Sequence, residues 1–151
     1  MFEYEHIVRL NLIDSDRRRL WTQLVDLSRS PEDYVEEMTR SESTETRAVS
    51  DGVEEFDRRT WFGKHEINEK VVLVEEESIS FNLVSINGSP MQSFFGIKIE
   101  EPEENNFFLR FSYKAPMTKE EKQYPQIEGL KKQAYQQKDL AMVQKLLEKM
   151  Q

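Results

Sequence analysis

Residues 78–113 read SISFNLVSINGSPMQSFFGIKIEEPEENNFFLRFSY, and the spacing of apolar side chains in this stretch decides the fold. Ile79, Phe81 and Leu83 alternate with polar neighbours. Met91, Phe95, Ile97 and Ile99 share one parity, and so do Phe107, Leu109, Phe111 and Tyr113. A period of two marks strands with one buried face. Asn87-Gly88-Ser89 and the run 101–106 are the turns between them. A three-residue turn at Asn87-Gly88-Ser89 pairs odd positions with odd positions and gathers all three apolar sets on one side. A two-residue turn would drive Phe95 and Ile97 outward, so the three-residue turn is expected.

The same logic extends upstream. A two-residue Gly63-Lys64 turn sets Phe62 opposite His65, Thr60 opposite Ile67, Arg58 opposite Glu69 and Phe56 opposite Val71. Phe56, Ile67, Val71 and Leu73 form the apolar face, so Arg58 and Glu69 are cross-strand partners on the inner side and Trp61 falls outside. Turns at Ser50-Asp51-Gly52 and Glu75-Glu76-Glu77 complete the punctuation, giving six strands between Thr39 and Ala115. A further strand is expected at the start, where Phe2, Tyr4, His6, Val8 and Leu10 share one face. Leu20, Leu24 and Leu27, flanked by Trp21 and Val25, then have helical spacing behind the candidate caps Asp14 and Ser15. Ser30-Pro31-Glu32-Asp33 opens a second short helix. After Pro116, Thr118 and Glu121 have capping-box spacing, and residues 126–150 read as one long helix with Gly129 as a weak point. On that helix Tyr135, Met142, Val143, Leu146 and Leu147 form one arc, with Asp139 inside it. Ile127, Leu130, Ala134 and Ala141 form a rival arc. The expected architecture is α+β: a seven-stranded curved antiparallel sheet, two short helices after its first strand, and a long C-terminal helix covering the apolar face.

Composition bounds the function. The 151 residues suit one domain, 1–151. With 21 basic and 29 acidic side chains the net charge is −8, which argues against nucleic-acid partners and anionic membrane surfaces. There is no cysteine, so disulfides, thiolate nucleophiles and cysteine metal sites are excluded. His6 and His65 make no local metal motif, and neither a metal nor another cofactor is expected. The N-terminus lacks the basic and apolar regions of a signal peptide, and no stretch approaches a membrane span. A cytoplasmic protein without stable membrane insertion is expected, with a homodimer left open.

The order of elements resembles the SRPBCC superfamily, the START-like or birch-allergen-like proteins of helix-grip fold. Several stretches are similar to its AtaL-like branch: Tyr4-Glu5-His6; Trp21 followed by Ser30-Pro31; Phe62-Gly63 with Glu69 beyond; Glu100-Glu101-Pro102 followed by Phe108-Leu109-Arg110-Phe111; and Ala134-Tyr135 with Asp139 and Val143. The resemblance spans the chain. It implies a hydrophobic cavity between sheet and last helix, and relatives that include lipid carriers, hormone receptors and polyketide cyclases.

The candidate ligand-binding residues are His6, Arg58, Glu69, Phe95, Phe111, Tyr113, Tyr135 and Asp139. His6 lies on an apolar strand face, where it serves either as a general base or as a hydrogen-bonded core residue. An inward Arg58–Glu69 pair needs a structural reason or a polar cavity. With Asp139 approaching from the helix above, the three would form the polar end of an apolar pocket. Phe95, Phe111, Tyr113 and Tyr135 would be its walls. Carriage of a small, largely hydrophobic ligand is the preferred function. The alternatives are a polyketide cyclase- or dehydratase-like enzyme using the same acid–base groups, and an interaction module whose outer sheet face exposes Trp61 and Val72. No residue is assigned a catalytic role.

Overall fold

The computed structural model describes residues 1–12 and 16–151. The elements are β1 (Phe2–Arg9), α1 (Arg17–Arg29), a 3-10 turn (Pro31–Asp33), β2 (Met38–Ser43), β3 (Arg47–Ser50), β4 (Val53–Phe62), β5 (His65–Val74), β6 (Ser78–Ile86), β7 (Ser89–Glu103), β8 (Asn106–Ala115), α2 (Lys119–Gln123) and α3 (Gln126–Met150). The strands form one antiparallel sheet in the order β1-β8-β7-β6-β5-β4-β2, with β3 also on β4. Among the described residues the sheet has eight strands, one more than the spacing predicts. The spacing predicts one strand between Thr39 and the Ser50-Asp51-Gly52 turn, but Thr44 interrupts it. Its Oγ1 accepts the Asp57 backbone N–H at 2.9 Å, displacing a ladder bond and splitting the segment into β2 and β3.

The apolar parity holds by a different device from the one expected. Ile86 pairs Ser89 and Ser85 pairs Pro90, so the turn is the two-residue Asn87-Gly88, with φ of 52° and 80°. A bulge on β7 then supplies the extra residue, with Met91 and Gln92 together opposite Val84, and Leu83 faces Ser93 while Phe81 faces Phe95. Ile79, Phe81, Ile97 and Ile99 are buried as a result. Met91, within the bulge, is exposed rather than inward. At Gly63-Lys64 the register is the expected one, from Phe62 opposite His65 to Phe56 opposite Val71.

α1 buries Leu20, Trp21, Leu24 and Leu27, and Asp16 caps it by accepting the Arg19 N–H at 2.7 Å. The expected caps Asp14 and Ser15 lie outside the described residues. Ser30 does not cap the 3-10 turn with its side chain; its N–H closes α1 on the Asp26 carbonyl at 2.8 Å. Thr118 caps α2 by accepting the Glu121 N–H at 3.1 Å. On α3 the first arc wins: Asp139, Met142, Val143, Leu146 and Met150 are buried, whereas Leu130 is exposed. No helix among the described residues is long and apolar enough to cross a membrane. On the outer face Trp61 and Val72 are half-buried, not exposed, and the Arg40 guanidinium sits 4.0 Å over the Trp61 ring.

Candidate functional site

Two polar clusters interrupt the apolar inner face. The first follows from the Gly63-Lys64 turn, which places Arg58 of β4 beside Glu69 of β5. Arg58 Nε and Nη2 donate to Glu69 Oε1 at 3.1 and 2.8 Å, and Nη1 donates to the Ser28 carbonyl at 3.0 Å. The guanidinium carbon also lies 4.4 Å from the centre of the Phe81 ring. The side chains are only 5% and 13% exposed. Burying either charge alone costs several kcal/mol, so each needs the other. The Ser28 carbonyl, in the last turn of α1, adds the negative end of a helix.

The second cluster joins α3 to the sheet edge. Asp139 is fully buried. Tyr113 Oη donates to its carboxylate, 2.7 and 2.6 Å from the two oxygens, and His6 Nε2 lies 2.7 Å from Oδ2. Burial pushes the Asp139 carboxyl above its usual range, and the bonds from Tyr113 and His6 oppose the shift. Burial, reinforced by the neighbouring Asp139 charge, pushes the Tyr113 hydroxyl up, so it remains a donor. The His6 ring stacks on Phe111, with ring centres 5.3 Å apart.

Between sheet and α3 lies a cavity of about 280 Å³. Five of the eight sequence-derived residues line it: Arg58, Glu69, Phe95, Tyr113 and Tyr135. His6, Phe111 and Asp139 are absent from the lining and form a layer behind Tyr113. Asp139 therefore does not join Arg58 and Glu69. The reason is helix phase: Tyr135, Lys138 and Met142 line the cavity, and Asp139 lies about 100° from Lys138 and about 40° beyond Tyr135, on the side that meets Tyr113 and His6.

Two further polar residues of the lining, Thr60 and Lys138, are not among the sequence-derived candidates. Thr60 is fully buried on β4, and its Oγ1 has no partner among the described residues. Its inward direction follows from the turn parity that gave Arg58. Lys138 reaches over the aromatic wall, with Nζ 5.1, 5.9 and 5.7 Å from the ring centres of Phe95, Tyr113 and Tyr135. Its spacing from Tyr135 and Met142 was the available signal. Part of the residue remains accessible, but burial of the ammonium holds it below its ordinary pKa.

A curved antiparallel sheet gripping a C-terminal helix over an internal cavity defines a helix-grip protein of the SRPBCC class. Within that class the chain belongs to the AtaL family, whose model, "Acetylaranotin biosynthesis cluster protein L", matches residues 15–151. Among solved structures, the di-domain ARO/CYC StfQ from the steffimycin biosynthetic pathway superposes with a TM-score of 0.65 at 12% identity, over 95% of this chain and 49% of that one. The chain thus spans about half the length of the di-domain proteins it matches. Ara h 8.0201 matches with a TM-score of 0.61 at 13% identity, covering 99% of this chain and 97% of that one. The Zhui aromatase/cyclase from Streptomyces sp. R1128 gives 0.60 at 9% identity, covering 99% and 93%. At these identities the likeness is one of fold. No curated protein sequence matches the chain.

Proposed function

We propose that this protein binds a small, largely apolar ligand in the cavity between its sheet and α3. The observation that carries the reading is the character of the lining. Phe81, Phe95, Tyr135, Leu83, Ile67 and Met142 supply apolar surface around few polar groups, the composition typical of ligand pockets. Thr60 adds a buried hydroxyl without a partner among the described residues, a deficit of about 1–3 kcal/mol that a ligand oxygen would relieve. Native mass spectrometry of gently purified protein should show a small organic adduct that is lost on denaturation. Absence of any adduct, together with failure to bind a neutral apolar dye, would sink the reading.

A polyketide cyclase- or dehydratase-like activity is the second reading. Glu69 in the lining favours it, as does the fold shared with proteins named aromatase/cyclases. Binding ranks first because the carboxylates in and behind the cavity wall already serve other groups: Glu69 accepts from Arg58, and Asp139 accepts from Tyr113. Turnover of a poly-β-ketone by the wild type but not by Glu69→Gln would reverse the order.

A further inference from the structure

Among the described residues the charges lining the cavity are Arg58, Glu69, Lys114 and Lys138. Arg58 and Glu69 neutralise each other, and Arg58 Nε, Nη1 and Nη2 all donate already. Lys114 belongs to the outward parity of β8 and is exposed. Lys138 differs. It lines the cavity, three aromatic rings surround its Nζ, and among the described residues no acceptor or carboxylate holds it. The charged groups acting on it are Asp139 of α3, Glu69 of β5, Arg58 of β4 and Glu37 before β2. Asp139 is committed to Tyr113 and His6, Glu69 is committed to Arg58, Arg58 repels, and Glu37 is exposed. Ring faces stabilise an ammonium only in part. Burial is the dominant influence on Lys138 and disfavours its charged form.

We infer that Lys138 is the anion anchor of the cavity, and that the ligand is an apolar skeleton bearing one acidic oxygen, a carboxylate or an enolate. Such a ligand supplies the counter-charge that the protein withholds, in a wall where a charge-assisted hydrogen bond is strong. Arg58, the obvious anchor by sequence, is already neutralised and organises the wall instead. Thr60, across the sheet on β4, offers the second polar contact. The inference rests on the proposed binding function and narrows its ligand class.

The test uses two dyes with the same aromatic skeleton: anilinonaphthalene sulfonate, which is anionic, and phenylnaphthylamine, which is neutral. In fluorescence titrations the wild-type chain should prefer the sulfonate by about tenfold or more. Lys138→Met should abolish that preference while keeping the affinity for the neutral dye, and Lys138→Arg should preserve it. Equal affinities in the wild type, or an undiminished preference in Lys138→Met, would overturn the assignment while leaving ligand binding intact. If neither dye binds, the binding function itself fails and the anchor with it.

Discussion

Replacing Arg58 by methionine tests how far the polar wall is insulated from water. The substitution keeps much of the side-chain volume and removes two N–H donors to Glu69, one to the Ser28 carbonyl and the cation over Phe81. With Arg58 and Glu69 only 5% and 13% exposed, solvent screens the pair little. Breaking a buried pair by removing one partner costs about 3–5 kcal/mol, chiefly because the remaining charge is stranded. Arg58→Met should therefore lower the unfolding free energy by about that amount. Arg58→Met combined with Glu69→Gln should recover part of the loss, because the stranded charge is gone and only the hydrogen bonds remain missing. Urea denaturation of wild type, both single variants and the double variant closes the cycle and gives the coupling directly. A single-variant loss below about 1 kcal/mol with additive effects would show that cavity water screens the pair, and the reasoning from burial would fail.

Phe111→Ala should cost about 3–5 kcal/mol in the same assay, because Phe111 is fully buried behind the cavity wall between His6 and Phe95. A much smaller loss would mean that Phe111 borders a void. Tyr113→Phe should destabilise by about 1–3 kcal/mol by withdrawing the hydroxyl from the buried Asp139 carboxylate, and Asp139→Asn in that background should relieve part of the loss. Burial lowers the folded-state pKa of Lys138 from 10.5. Between the lowered value and 10.5 the unfolded chain holds a proton that the folded chain lacks, so this residue's contribution to stability grows as pH rises. The stability difference between wild type and Lys138→Met should move in favour of wild type across that window. A flat difference would place the ammonium in water.

Gly63-Lys64 shows what made part of the site legible. A two-residue turn fixes parity for every residue on both strands, so Arg58, Glu69 and Thr60 could be faced inward from spacing alone. The β6–β7 hairpin shows the limit. Its apolar alternation required one extra residue, but a loop residue and a bulge satisfy parity equally, and the β7 bulge opposite Val84 lies beside the register shift at Asn68–Glu69 on the neighbouring ladder. That is a property of three strands together and has no local signature. The split of β2 from β3 was hidden for a related reason, since Thr44 reads as an ordinary strand residue until Asp57 is placed beside it. The helix wheel places Asp139 inside one of two rival arcs, and both the choice of arc and the partner of Asp139 depend on helix phase relative to the sheet edge. Lys138 shares an arc with Tyr135 and Met142, yet a lysine there reads as solvent-facing until the aromatic wall is in position.

The bond between His6 and Asp139 spans 133 residues, and the strand that carries His6 pairs with β8, more than 100 residues downstream. This gives the molecule a schedule. Within this domain β1 has no partner until β8 has followed it, and its apolar face, with Phe2 and Val8, is not covered by α3 until that helix is complete. Topology of this kind raises contact order and slows folding. A nascent chain that has not yet released α3 carries an uncovered sheet and an open edge, the combination most prone to aggregation. The 25 residues of α3 thus set when the domain can close as well as roofing its cavity.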